Sequence, residues 1–191
     1  MEGRMILYDL CGVVPKATVG VCFTGHRLFS AEEKSVAEEK LDRVIGKLTD
    51  RGAGFAARRF FTGGALGFDT LAAEAVLRAR DRMKEEGHAT GAVTLELLLP
   101  CEGQDRYWQD SDRAEYRRII SLADSVRVFA PHYFSGCMQI RDRALVDSAD
   151  LCVAWLRPGE TDGGTAYTVR HALKTGTPVL DLFRFDPSRG A

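Results

Sequence analysis

Apolar runs alternate with amphipathic segments over most of the chain. The runs are short, rich in β-branched and aromatic residues, and bounded by glycine, proline or polar residues, which is typical of buried strands. Because they are apolar almost throughout, we expect helices to cover both faces of their sheet. Six strands are predicted, at residues 18–24, 59–62, 93–99, 126–130, 151–156 and 178–183.

The segments between these strands predict helices. Ser30 and Glu33 have the spacing of a capping box, and the apolar positions after them recur at helical intervals up to a break at Gly52–Gly54. Asp69 is predicted to cap the second helix. Further helices are predicted at about 113–122, 138–148 and 166–174.

Strict alternation of strands and helices implies parallel pairing through helical crossovers. The predicted fold class is α/β: a Rossmann-like, doubly wound, mostly parallel sheet of about six strands with helices on both faces. This domain spans residues 18–185. It lies between an N-terminal extension without an assigned role, residues 1–17, and a C-terminal tail, residues 186–191.

The functional site is expected where the strands end. Open α/β sheets bind their ligands outside the carboxyl ends of the strands, near the point where the strand order reverses. We call this edge of the sheet the carboxyl rim, and we expect the segments that follow the strands to converge on one pocket there. These segments are residues 25–27, 63–69, 100–108, 131–141 and 157–165.

Two glycine clusters at the rim each open a predicted helix. The first cluster contains Gly63, Gly64 and Gly67, and the second contains Gly163, Gly164 and Thr165. Helix N-termini present unpaired N–H groups and a positive dipole end, which favour phosphate or carboxylate. The alternative is that the glycines only form tight turns, but two clusters at one rim favour anion binding.

Basic side chains at the rim support an anionic ligand. Gly25, His26 and Arg27 follow the first strand, where the His–Arg pair can donate to a phosphate or carboxylate. Arg141 and Arg143 lie near the start of a helix, where the macrodipole favours acidic residues. Their presence indicates a bound anion, with a solvated, salt-bridged surface as the alternative.

The segment after the third strand adds Cys101, Gln104 and Trp108 to the candidate ligand-binding residues. Trp108 lies among polar residues, where it can stack on a base, and packing in the core is the alternative. Cys101 has no base paired with it in the sequence, so inert packing is favoured over a nucleophilic role.

Composition narrows the function classes. The 26 basic and 27 acidic residues leave a net charge of -1, which argues against a dedicated nucleic-acid binder. No segment has the pattern of a signal peptide or the length of a membrane span. The five cysteines are scattered without a C-x-x-C pair. This spacing indicates reduced thiols in a cytoplasmic protein and predicts no metal site.

Five motifs, in order, carry a family resemblance. They are VCFTGHR, TGGALGFDTLAAEAVL, LLPCEGQ with the later Trp108, CMQIRDRALVDSAD and GGTAYTV, from about Val21 to Leu182. Together they resemble the YpsA-like branch of the SLOG superfamily, a bacterial group similar to DprA and to the lysine-decarboxylase-like Lonely guy proteins. The resemblance implies a Rossmann-like fold that binds a nucleotide or nucleotide-derived small molecule, without a firmly assigned reaction.

The Lonely guy hydrolases carry the motif P-G-G-x-G-T-x-x-E and an arginine on the preceding helix. By this resemblance Arg141 or Arg143 stands for the arginine, and Gly163–Thr165 stands for the phosphate loop. Thr168 occupies the position of the motif's acid. Because a hydroxyl cannot replace that carboxylate in N-glycoside cleavage, no catalytic residue is assigned and enzymatic activity stays open.

Nucleotide binding at the rim, with a phosphate held by both glycine clusters, is the leading interpretation. Candidate ligands include ADP-ribose and NAD-like molecules, and no certain cofactor follows. One alternative is a nucleotide-processing hydrolase that uses Asp69, Glu102 or Asp162 as acid or base. The other is DprA-like binding of single-stranded DNA. The resemblance to Lonely guy proteins, which are typically dimers, favours a homodimer.

Overall fold

The computed structural model describes residues 6–7, 19–50, 57–89 and 91–186. These residues form one sheet of seven strands, together with five helices. The strands are β1 (Ile6–Leu7), β2 (Gly20–Gly25), β3 (Arg59–Thr62), β4 (Thr94–Leu99), β5 (Ser125–Val128), β6 (Leu151–Trp155) and β7 (Val179–Asp181). The helices are α1 (Ala31–Thr49), α2 (Phe68–Glu85), α3 (Asp110–Leu122), α4 (Cys137–Asp147) and α5 (Gly163–Thr175).

The strand order is β1-β7-β6-β2-β3-β4-β5, and every neighbouring pair is parallel. From β2 the chain moves outward through β3 and β4 to β5, and then crosses back to β6 on the other side of β2. Gly25 pairs with Trp155 where these two central strands end. The strand order therefore reverses between β2 and β6, which is where a doubly wound fold opens a crevice at its carboxyl rim.

Two apolar cores lie on opposite faces of the sheet. Successive strand residues point to opposite faces, so Phe23 belongs to the core beneath α1, α2 and α3, whereas Cys22 belongs to the core beneath α4 and α5. Phe68 at the start of α2 packs against Phe23 and Trp155. A Cβ on Gly25 would overlap the Phe68 ring, so this glycine lets α2 approach the end of β2 closely.

The predicted fold class is confirmed, and all six predicted strands are present. The seventh strand, β1, pairs with β7, so part of the predicted N-terminal extension contributes to the edge of the sheet. The predicted break at Gly52–Gly54 lies outside the described residues. Within the described ranges, no helix is long and apolar enough to cross a membrane.

Three helices begin two or three residues earlier than predicted, and one of them, α3, starts at Asp110. α5 starts at Gly163, because its first turn, Gly-Gly-Thr, carries too few apolar side chains to show a helical period. α2 starts at Phe68 with Gly67 as its N-cap, so the prediction that Asp69 caps this helix was wrong. The Asp69 carboxylate accepts instead from the N–H of Ala65, in the loop before the helix.

Candidate functional site

A cavity of about 560 Å³ opens at the carboxyl rim beside the end of β2. Its size falls within the range of about 300–1,000 Å³ that is usual for small-molecule sites. The wall is built from β2 and the segment after it, and from the first turns of α2, α4 and α5. Eight predicted site residues line this rim cavity: Gly25, His26, Arg27, Asp69, Arg141, Gly163, Gly164 and Thr165.

Arg141 is the buried cation of the cavity. Its side chain is only 8% exposed and lies between two carboxylates, with Nη1 3.6 Å from Asp69 Oδ2 and Nε 2.9 Å from Asp142 Oδ1. The Nη1 contact is too long and the Nε contact is poorly aligned, so neither atom makes a hydrogen bond within the described part of the chain. A buried guanidinium with unused donors is costly unless something accepts from it, which makes Arg141 a candidate receptor for an anionic ligand.

The absence of a side chain at Gly63 leaves room for the guanidinium group of Arg141. A Cβ on Gly63 would overlap Nη1 of Arg141 and would lie 2.8 Å from Asp69 Oδ2. The glycine therefore serves a close approach between the loop after β3 and the side chain that α4 directs at it.

In the first glycine loop, Gly63–Gly67, two N–H donors are occupied within the protein. Gly64 donates to Thr62 Oγ1 at 3.2 Å, and the carboxylate of Asp69 accepts from the N–H of Ala65 at 3.2 Å. Burial raises the pKa of Asp69, and the Arg141 charge and the hydrogen bond from Ala65 oppose that rise. The carboxylate thus fills the position that an external anion would take in this loop.

Gly64 and Gly67 turn away from the cavity. Gly64 has φ +60°, and a Cβ there would lie 2.9 Å from Leu99 Cδ2. Gly67 has φ +75°, and its Cβ would overlap the carbonyl groups of His26 and Arg27. Both glycines are explained by a left-handed backbone and close packing, without a ligand.

The second glycine loop, Gly163–Thr165, is open. It forms the first turn of α5, where Asp162 is the N-cap without a side-chain hydrogen bond to the helix. A Cβ on Gly164 would have only Asp142 Oδ2 nearby, at 3.8 Å. The N–H groups of a helix's first turn have no partner within the helix, so this loop presents donors and a positive dipole end to the cavity.

Asp142 is a cavity residue that the sequence analysis did not single out. Its side chain is 9% exposed, and burial raises its pKa to about 6, against the opposing charge of Arg141. The neighbouring Asp69 raises this pKa further. The sequence does contain a signal for it. Asp142 directly follows Arg141 near the start of a helix, where the macrodipole favours acidic residues.

Arg27 and His26 form the mouth of the cavity. The Arg27 side chain is exposed and, among the described residues, makes no ion pair. His26 Nε2 accepts from the N–H of Arg157 at 3.2 Å and lies 3.1 Å from Glu160 Oε2. Burial lowers the pKa of His26, so at neutral pH the ring is an uncharged acceptor and its contact with Glu160 is not an ion pair.

The remaining predicted site residues lie outside the cavity wall. Gln104 donates to Gly64 O at 3.0 Å, and Trp108 packs edge-on against Tyr116. Cys101 is buried beside Cys137, and burial raises its pKa, which disfavours a thiolate. Their positions indicate support of the loops after β3 and β4.

Arg143 and Thr168 also point elsewhere. Arg143 donates to the hydroxyl of Tyr167 at 2.8 Å, and this tyrosine does line the cavity. Thr168 is 1% exposed, and its hydroxyl donates to Gly164 O at 2.9 Å. The position that corresponds to the hydrolase acid is therefore packed beneath the second glycine loop.

Comparison with known proteins identifies the fold and a family. The model of the YspA SLOG family matches residues 21–179. DNA processing protein A from Streptococcus pneumoniae has a similar structure, with a TM-score of 0.56 at 16% identity over 86% of this chain and 50% of that one. The Helicobacter pylori protein, whose single-stranded DNA binding mode has been described, gives 0.55 at 19% identity, over 85% of this chain and 64% of its own.

The chain thus spans between about half and two thirds of the length of these two structures. At such identities the likeness shows the fold alone. None of the curated proteins compared with the chain matches it.

Proposed function

Since the chain belongs to the YspA SLOG family, we propose that its rim cavity binds a nucleotide or a nucleotide-derived molecule by its phosphate. The observation that carries this proposal is the buried guanidinium of Arg141. Two of its donors lack hydrogen bonds, and it shares the cavity with the open first turn of α5. Backbone donors at a helix N-terminus and an arginine are the groups by which proteins hold phosphate.

We infer that the phosphate binds at the second glycine loop. Gly163–Thr165 supply N–H donors, Arg27 adds charge at the mouth, and Arg141 adds it from below. The first glycine loop acts indirectly, because Gly63 and Asp69 position Arg141. This modifies the expectation that both glycine clusters hold a phosphate directly.

The sugar and base extend along the less polar part of the wall. This part is formed by the partly exposed side chains of Met138 and Tyr167. The hydrogen bond from Arg143 fixes the Tyr167 ring, so Arg143 acts as a positioning residue.

Calorimetry with AMP, ADP-ribose and NAD tests the proposal. Arg27→Ala should weaken binding by roughly 1.5–3 kcal/mol, the range for a hydrogen bond to a charged group, and should leave stability unchanged because the side chain is exposed. Arg117→Ala, at an exposed arginine on α3, is the matched control and should bind as the unmodified protein does. Equal affinities of both variants, or no binding of any of the three nucleotides, would contradict the proposal.

Single-stranded DNA binding is the second candidate. Tyr107 and Tyr133 are 88% and 70% exposed in the segments after β4 and β5, and Arg106 lies over the Tyr107 ring. Exposed aromatic rings beside arginines are a means of stacking unpaired bases. Anisotropy of a labelled oligothymidine at increasing salt separates the candidates, because strand binding weakens steeply with salt and depends on Tyr107.

We further propose a cytoplasmic homodimer. The four described cysteines are free and buried, in keeping with a reducing compartment. Light scattering over a range of concentrations tests the dimer, and a monomer at the highest concentration would contradict it.

A further inference from the structure

Asp142 lies against the place where the ligand's anion is proposed to bind. Its Oδ2 would be 3.8 Å from a Cβ on Gly164, so the carboxyl group faces the second glycine loop across a narrow gap. Its Oδ1 is 2.9 Å from Arg141 Nε. The side chain is more than nine-tenths buried, so little water separates it from either neighbour.

Every element around the cavity contributes a charged or titratable group to the wall that it shares with Asp142. The acidic neighbour is Asp69 on α2, which together with Asp142 already compensates the single charge of Arg141. The others that line the cavity are His26 and Arg27 after β2, and Tyr167 and Arg170 on α5. Arg170 donates to Thr161 O, and Arg27 is exposed to solvent, so neither charge sits directly on the Asp142 carboxylate.

An ionised Asp142 is incompatible with a phosphate at Gly163–Thr165. Two oxygen anions in a buried site repel each other strongly, and Arg141 has only one charge to share among them and Asp69. A protonated carboxyl group removes the repulsion and adds a hydrogen-bond donor. Burial already disfavours the ionised form before the ligand enters.

We propose that Asp142 is a specificity residue that donates a hydrogen bond, in its protonated form, to the anionic group bound at the second glycine loop. The proposal rests on the function proposed above. At a pH at which Asp142 is ionised in the ligand-free protein, binding of the ligand is then accompanied by the uptake of one proton from solution. The site thereby selects an oxygen anion that can accept from a carboxylic acid as well as from backbone N–H groups.

ADP-ribose is a suitable probe because its two diester phosphates keep fixed charges between pH 5 and 8. Calorimetry in buffers of different ionisation enthalpy measures the protons taken up. We expect about one proton per ADP-ribose at pH 7.5 and few at pH 5, with affinity falling roughly tenfold per pH unit above pH 6. This measurement uses the unmodified protein, so it does not depend on how a variant folds.

Asp142→Asn supplies the second arm, because the amide is a neutral donor of the same shape. This variant should bind ADP-ribose with no proton uptake and no pH dependence, and more tightly than the unmodified protein at pH 7.5. Asp81→Asn, at an exposed carboxylate on α2, should keep the proton uptake and the pH dependence.

The outcomes separate the two proposals. ADP-ribose binding without proton uptake, or a pH dependence that persists in Asp142→Asn, overturns the role of Asp142 and leaves nucleotide binding standing. If the unmodified protein binds none of ADP-ribose, AMP and NAD between pH 5 and 8, the proposed function is overturned and this inference with it.

Discussion

Replacing the buried carboxyl group of Asp142 by an amide should stabilise the folded protein at neutral pH. Burial raises the pKa of Asp142 from 3.8 to about 6. The folded state therefore holds this proton between the two values while the unfolded chain has lost it. Stability falls as the pH rises through that window and changes little above it. At 1.36 kcal/mol per unit, the ionised group costs about 3 kcal/mol.

Asp142→Asn does not incur this cost, so its advantage should depend on pH. We expect its free energy of unfolding to exceed that of the unmodified protein by about 3 kcal/mol at pH 7.5, and by little near pH 4. Urea unfolding, followed by the fluorescence of Trp108 and Trp155 without ligand, measures both values. Asp81→Asn controls for the loss of an exposed carboxylate.

Two results would refute the reasoning about Asp142. One is a stability difference of the same size at every pH, which would mean that the carboxyl group does not titrate differently in the folded state. The other is an Asn variant that is less stable at pH 7.5, which would mean that attraction to Arg141 outweighs the burial of the charge.

Three substitutions near the glycine loops have distinct expected outcomes. Gly63→Ala should displace the Arg141 guanidinium, and calorimetry should show nucleotide binding lost, with denaturation showing a destabilised fold. Gly164→Ala should fold normally, because its Cβ meets only Asp142 at 3.8 Å, while a methyl group in the cavity weakens binding. Thr168→Glu should lower stability by roughly 3–5 kcal/mol, because it places a charge at a buried position, and product analysis should show no hydrolysis.

The sheet was predictable because its strands carry their signal locally. The apolar runs at β2, β3, β4 and β6 are buried on both faces, so hydrophobicity alone marks them. Strand β1 has only two residues and depends on pairing with β7, a contact that no local pattern reveals. The start of α5 was missed because glycines hide a helical period.

The location of the site could be predicted from the sequence, but most of its side-chain contacts could not. Parallel strands bring their carboxyl ends together, so the convergence of Arg27, Asp69, Arg141 and Gly164 follows from topology. Which donors stay free does not follow, because that depends on side chains arriving from other elements. The glycines of the first loop look like a phosphate site in sequence, but Asp69 accepts from the N–H of Ala65 in this loop and Thr62 Oγ1 accepts from the N–H of Gly64.

The two glycine loops therefore differ in the anion that they are suited to hold. The first loop holds a carboxylate of the protein itself, and the second is open to the anion of a ligand. The first loop holds Asp69, and through it fixes Arg141, whose positive charge is compensated before any ligand arrives. The affinity for a phosphate must then come from the open N-terminus of α5, from Arg27, from the unused donors of Arg141, and from the hydrogen bond that protonated Asp142 donates. A site built this way should favour a diester phosphate, which carries one charge, over a doubly charged monoester. A second charge on the same phosphate group would face carboxylates, with no further buried cation among the described cavity residues to offset it. ADP-ribose should accordingly bind more tightly than AMP at pH 7.5, and the reverse order in calorimetry would mean that Asp69 or Asp142 leaves the cavity when the ligand binds.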